Sequence, residues 1–177
     1  MRQIIKIPWL KKAMARIHLL LWLALLLGLL FSCAQVPNDP TVPQWIHIHY
    51  QYGFNDELNT FKGTFHKDLI LDGSITIPFS FTEDEQRLII DKTLAIDFFS
   101  YPDTLYREPG VRISPDPSPD FLRIKYENQE KRIVWFYPPN APVNYLAPLQ
   151  ELTTLIRETI QAKPAYHRLP AARGGYL

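Results

Sequence analysis

Two histidines, His47 and His49, sit two residues apart inside the alternating run Trp45-Ile46-His47-Ile48-His49-Tyr50-Gln51-Tyr52. On an extended strand, side chains at i and i+2 leave the same face about 7 Å apart at the backbone, near enough for two imidazoles to converge on Zn²⁺. A third ligand would come from a neighbouring strand, and His66 is the candidate. Such a set would define a metal-dependent hydrolase. The plainer reading is a solvated strand face carrying His, Gln and Trp, and it is preferred, so no metal or other cofactor is assigned.

Carboxylates offer a second chemistry. Asp103, Glu108, Asp116 and Asp120 fall in or beside a proline-rich stretch and could serve Ca²⁺ or acid–base work. Their spacing matches no known ligand set, and acids are ordinary in solvated loops. A third group is aromatic: Tyr101, Tyr106, Tyr137, Tyr145 and Tyr166 all lie in segments rich in proline. Tyrosine on a stiff loop makes good recognition surface. Tyr101 and Tyr106 are therefore the candidate partner-binding residues, against the reading that such rings cover a small core. There is no phosphate loop, G-x-G-x-x-G, H-E-x-x-H, EF-hand loop or G-x-S-x-G elbow in the chain. The sequence thus favours a binding module over an enzyme.

The elements that must position these residues follow from periodicity. Ile46, Ile48, Tyr50 and Tyr52 share one face of the first strand. Gly53 to Asn59 reads as a polar turn, and a second strand is expected within Phe61 to Leu71. Asp72-Gly73 signals a hairpin of type I′. The third strand, Ser74 to Phe81, carries Pro78, which lacks an N–H and so belongs at an edge. Thr82-Glu83-Asp84-Glu85 is a capping box, with three acids at the positive end of the helix it opens. That helix is predicted over Glu83 to Ile96, burying Leu88 or Ile89, Thr93 and Ile96, before Phe98, Phe99 and the Tyr101-Pro102 stop.

Pro102 to Asp120 is a nineteen-residue stretch with five prolines and no period. Loops of that length in compact domains are functional or disordered. A second hairpin spans Phe121 to Tyr126 and Lys131 to Tyr137. Pro148 reads as position N1 of a last helix running to Ala162, with Leu149, Leu152, Leu155 and Ile156 at helical spacing and Lys163-Pro164 as its end. Ala165 to Leu177 reads as a tail. Strands come in runs, three then two, each run followed by a helix. That order predicts an α+β fold, an antiparallel sheet of about five strands with two helices on one face.

The N-terminus has a different character. Arg2, Lys6, Lys11, Lys12 and Arg16 precede thirteen apolar residues, Leu19 to Phe31, and no acid appears before Asp39. This is the build of an export signal, and the apolar run falls short of the roughly 20 residues that span a bilayer. Leu30-Phe31-Ser32-Cys33 resembles the lipobox of bacterial lipoproteins, although Phe31 departs from the small residue usual before Ser32. The resemblance implies cleavage after Ser32 and lipid on Cys33, leaving residues 1–32 as signal peptide. It also implies a membrane location for the exported domain, at the cell membrane or outer membrane; Ala34 in place of Asp leans to the outer one. Cys33 is the only cysteine, so the exported domain relies on its core rather than a disulfide.

Residues 33–44 form the lipidated cysteine and a tether with three prolines, reaching about 35 Å if extended. Residues 45–177 form the domain. Asn59-Thr60-Phe61-Lys62-Gly63-Thr64 and Asp97-Phe98-Phe99-Ser100-Tyr101-Pro102-Asp103 resemble segments of small bacterial envelope proteins, a likeness that implies no activity.

Cleavage would remove five of the 19 basic residues and none of the 18 acidic ones. The mature chain then carries net charge 14 minus 18, or −4. A mildly acidic domain without a Lys/Arg cluster argues against nucleic acid as a partner. The expected partners are the membrane, through the N-terminal lipid, and an envelope protein. The sequence reading is a membrane-tethered binding or accessory module of the cell envelope; a metal-dependent hydrolase of an envelope substrate and a purely structural envelope protein are its rivals.

Overall fold

The computed structural model describes residues 43–53, 55–112, 118–140 and 143–176. The expected signal peptide, Cys33, the expected tether before Pro43 and Asp116 lie outside the described residues. The fold is α+β, and its sheet is larger than expected: seven strands in the order β4-β3-β2-β1-β6-β7-β5. These are β1 (Ile46–Tyr52), β2 (Asp56–Asn59), β3 (Thr64–Asp68), β4 (Ser74–Pro78), β5 (Thr104–Leu105), β6 (Asp120–Tyr126) and β7 (Gln129–Trp135). The described helices are α1 (Glu83–Ala95), α2 (Val143–Gln161) and the short α3 (Pro164–His167), with a 3₁₀ turn at Phe98–Ser100.

β1 is the middle strand of the seven. Ile46, Ile48 and Tyr50 are fully buried, and they pair through β1 with β2 on one side and β6 on the other. The facing stripes come from α1 (Ile89, Ile90) and α2 (Leu149, Leu152, Ile156, Ile160). Leu152, Ile156 and Ile160 are wholly inaccessible, each contributing about 1.5–3 kcal/mol by leaving water. The capping box of α1 is present in both halves: Glu85 N–H donates to Thr82 Oγ1 and Thr82 N–H to Glu85 Oε2. Within α1 it is Ile89 that turns inward, and Leu88 is exposed.

Several expectations need correction. The supposed polar turn before Asn59 contains β2, whose DELN sequence has one apolar side chain and is held by pairing on both flanks. Thr60 extends this pairing: its N–H donates to Ile48 O at 2.8 Å and its hydroxyl accepts from Ile48 N–H at 2.7 Å. The β3–β4 connection is a five-residue loop closed by Leu69 N–H on Gly73 O, with Ile70 and Gly73 at positive φ, rather than a two-residue turn. β4 is an edge strand, the place expected for Pro78.

The stretch from Pro102 is not all loop. Its Thr104–Leu105 segment forms β5, which runs parallel to β7 and makes the sheet mixed. Hydrogen bonds then continue past the strand, Glu108 N–H to Pro138 O at 2.9 Å and Asn140 N–H to Tyr106 O at 2.6 Å. Pro148 lies inside α2, not at its start. The helix is held upstream of it because Tyr145 packs edge-on against Tyr101, whose hydroxyl donates to Tyr145 O at 3.1 Å.

The tail also has a place. Arg173 pairs in a β-bridge with Ile70 and grips Asp72 with two nitrogens at 2.5 and 2.6 Å, while the Tyr176 hydroxyl meets Asp68. At the other end, buried Gln86 accepts from Trp45 N–H and donates to Pro43 O, tying these first described residues to α1.

Candidate functional site

The histidines are brought to one face but not to one point. His47 and His49 both project from β1 opposite the helices, as their half-buried positions between fully buried Ile46, Ile48 and Tyr50 show. His47 stacks on Phe61, with ring centroids 5.1 Å apart. The His49 Nε2 lies 2.8 Å from Glu57 Oε1, and its ring meets Phe121 edge-on. His66, on β3, bonds instead to Thr76 Oγ1 through Nδ1 at 2.9 Å. Among the described residues no three His, Cys, Asp or Glu side chains converge as a metal site. Arg123 over Phe61 and Arg132 over Phe121, both at 4.5 Å, complete a layer of cations and rings on this face.

The loop acids scatter. Asp103 is on the surface beside Lys131, and Glu108 is exposed. Asp120 behaves otherwise. It is the first residue of β6, in register with Trp135 of β7, and only 3% exposed. The tyrosines divide too. Tyr101 is a core residue at 3% exposure, whereas Tyr106 stands out at 71%; of the two partner-binding candidates, Tyr106 is the one displayed. Tyr166 packs on Phe65 under Lys67, and Tyr137 belongs with Asp120.

A cleft of about 510 Å³ opens between α2 and the end of β7 beside β5. Helical spacing aligns its α2 wall: Leu146, Leu149, Gln150, Thr153 and Arg157 fall three or four residues apart along one stripe. The sheet side supplies Leu105, Trp135, Tyr137, Pro138 and Pro139. β5 is what places Leu105 there, since it pairs directly with Trp135.

Behind this wall runs a polar chain. Trp135 Nε1–H donates to the Tyr137 hydroxyl at 3.2 Å, and that hydroxyl donates to Asp120 Oδ2 at 3.0 Å. Burial pushes the Asp120 carboxyl up to about 6, against the opposing pull of the Tyr137 hydroxyl, the Arg157 charge and the Gly53 N–H. The phenols of Tyr137 and Tyr50 are raised for the same reason, loss of water around the charged form. Arg157 reaches in from α2, its Nη1 donating to Tyr50 Oη at 3.2 Å and its Nη2 to Thr154 Oγ1 at 3.0 Å.

The chemistry available is recognition: an apolar wall, two aromatic rings, and a small set of donors from Arg157 and Gln150. Cavities of about 300–1,000 Å³ with few, well-placed polar groups are the usual build of small-ligand sites. Sequence reasoning picked out Asp120 and Tyr137 but not Arg157, Thr153 or Gln150. The signal for them is the Gln150–Thr153–Arg157 stripe that runs beside the apolar Leu149–Leu152–Ile156–Ile160 one. No protein-family model matches the chain, and no curated protein or solved structure does either.

Proposed function

We propose that this protein is a membrane-tethered binding module of the bacterial cell envelope, held by lipid on Cys33 and taking a small molecule into the cleft between α2 and β7. The observation that carries the reading is the cleft itself: its size, its apolar and aromatic walls, and the few donors gathered along one side. The lipobox-like Leu30-Phe31-Ser32-Cys33 supports the anchor, and the proline-rich tether supports a domain standing away from the bilayer. Exposed Tyr106, on the β5 edge, is the residue that an envelope protein partner would meet.

The test is native mass spectrometry of the full chain purified from membranes, beside a Gln150→Trp variant. Gln150 is an exposed helix position on the cleft wall, so a large ring there should fill the cleft without disturbing the core. A small-molecule adduct on the natural chain that is lost in the variant supports the reading. An adduct that persists in the variant places binding elsewhere, and no adduct on either counts against a resident ligand.

A further inference from the structure

We infer that the cleft takes a monocarboxylate with an apolar body, the acid group docking on Arg157 and the body lying against Trp135, Leu105 and Leu146. This rests on the cleft being the binding site, as proposed above, and goes on to its ligand class.

The argument is one of charge. Arg157 is half-buried on the cleft wall, and its two side-chain hydrogen bonds go to the neutral hydroxyls of Tyr50 and Thr154. A guanidinium carries five N–H donors in a planar fork suited to a carboxylate. Two are occupied here. No carboxylate of the described residues lies within the 4.0 Å ion-pair distance of it. Elsewhere in the domain, cations without such constraint do find acids: Lys92 meets Glu151, Lys163 meets Glu85, and Arg123 meets Glu130. A cation withdrawn from water on an apolar wall gains most from an anion brought by the ligand.

The number of charges follows from the neighbours. Tyr137 of the cleft wall donates to Asp120 Oδ2 at 3.0 Å, so a negative group stands just behind the site when that carboxyl ionises. A dianion such as a phosphate monoester would face that repulsion twice with one guanidinium to offset it. Gln150 adds a side-chain amide donor that a carboxylate's second oxygen can use. The rest of the wall is hydrocarbon and indole, which selects for an apolar body rather than a sugar or a peptide backbone.

The experiment is titration calorimetry of the full chain in detergent micelles with 3-phenylpropionate, its uncharged amide 3-phenylpropionamide, and phenyl phosphate. Charge-assisted hydrogen bonds contribute about 1.5–3 kcal/mol, which is roughly a 10- to 100-fold difference in Kd. The acid should therefore bind at least about ten times tighter than the amide. It should also bind tighter than the phosphate, and Arg157→Gln should remove the acid's advantage. The acid–amide comparison needs no variant and stands even if Arg157→Gln fails to fold. Equal binding of acid and amide, both blocked by Gln150→Trp, would overturn the carboxylate assignment and leave the cleft as a site. Tighter binding of the phosphate would overturn the monoanion assignment. Binding of none of the three would overturn this inference, while an adduct lost in Gln150→Trp would still uphold the cleft.

Discussion

The Tyr137 hydroxyl donates to Asp120 Oδ2 at 3.0 Å while accepting from the Trp135 indole N–H. One phenol thereby satisfies a buried acid and a buried indole at once, and ties the start of β6 to the end of β7 behind the cleft.

The Asp120 carboxyl makes stability depend on pH in a direction opposite to that of an ion-paired acid. Its folded value, about 6, lies above the ordinary 3.8. The folded state therefore holds the proton more tightly, and this contribution is complete below about pH 4 and lost as pH rises through about 6. A gap of that size corresponds to about 3 kcal/mol, using 1.36 kcal/mol per pKa unit. Asp120→Asn should abolish that slope and raise stability at pH 7. Urea unfolding of both chains from pH 4 to 7 checks this, since the difference between the two profiles isolates position 120. Parallel profiles would mean that the carboxyl is not buried as described.

Tyr137→Phe removes the shared hydroxyl and leaves the indole N–H of Trp135 and Asp120 Oδ2 each short of a partner. The expected cost is about 1–2 kcal/mol. The Asp120 midpoint should move further up as well, because a bond favouring the charged form is gone. Carboxyl-carbon NMR titration of the variant reads the second effect directly.

The C-terminal strap should protect the β3–β4 loop. Leu71 N–H donates to Arg173 O and Arg173 N–H to Leu69 O, both at 3.3 Å. Removing the residues after Ala172 should speed amide exchange at Leu71 while leaving Ile48 and Leu122 protected. Acid should do the same to the intact chain. The Tyr176 hydroxyl lowers the Asp68 carboxyl and the Arg173 guanidinium lowers that of Asp72. Both bonds are therefore kept at neutral pH and weaken as pH falls through those lowered values.

How much of this was legible in the sequence depended on whether local pattern or distant pairing made the decision. Ile46, Ile48 and Tyr50 alternate, so their face was readable, and Thr82 and Glu85 announce the first turn of α1 by themselves. Asp56–Asn59 carries no such pattern; it is a strand because β1 and β3 lie on either side of it. Thr104–Leu105 is hidden among prolines and becomes strand only by meeting Val134 and Trp135 thirty residues away. Pro148 looks like a helix start because proline tolerates position N1, and only the Tyr101–Tyr145 contact explains the helical turn before it.

The site divides in the same way. Asp120 sits next to Pro119 and read as one more loop acid, but its register with Trp135 buries it. Arg157 was not singled out by any local pattern. Its position beneath the β7 end depends on how α2 crosses the sheet, which no local spacing encodes. The histidines show the converse: their spacing was suggestive, and Phe61, Glu57 and Thr76 take them up as ordinary packing partners.

Gln86 offers a separate check on how the Pro43–Trp45 segment is held. It is completely buried, with its carbonyl on Trp45 N–H at 2.7 Å and its amide on Pro43 O at 3.1 Å. Gln86→Leu should cost about 1–3 kcal/mol by stranding those backbone groups. It should also make the Pro43–Trp45 segment more susceptible to limited proteolysis than in the natural chain.

The most direct test of the binding cleft is the indole N–H resonance of Trp135 in the full chain. That group lines the cleft and bonds to the Tyr137 hydroxyl, whereas Trp45 lies near Arg87 and serves as an internal reference. Adding 3-phenylpropionate should shift the Trp135 signal saturably, leave that of Trp45 in place, and have no effect in Gln150→Trp. Equal shifts at both indoles, or a Trp135 signal that never moves, would contradict the account.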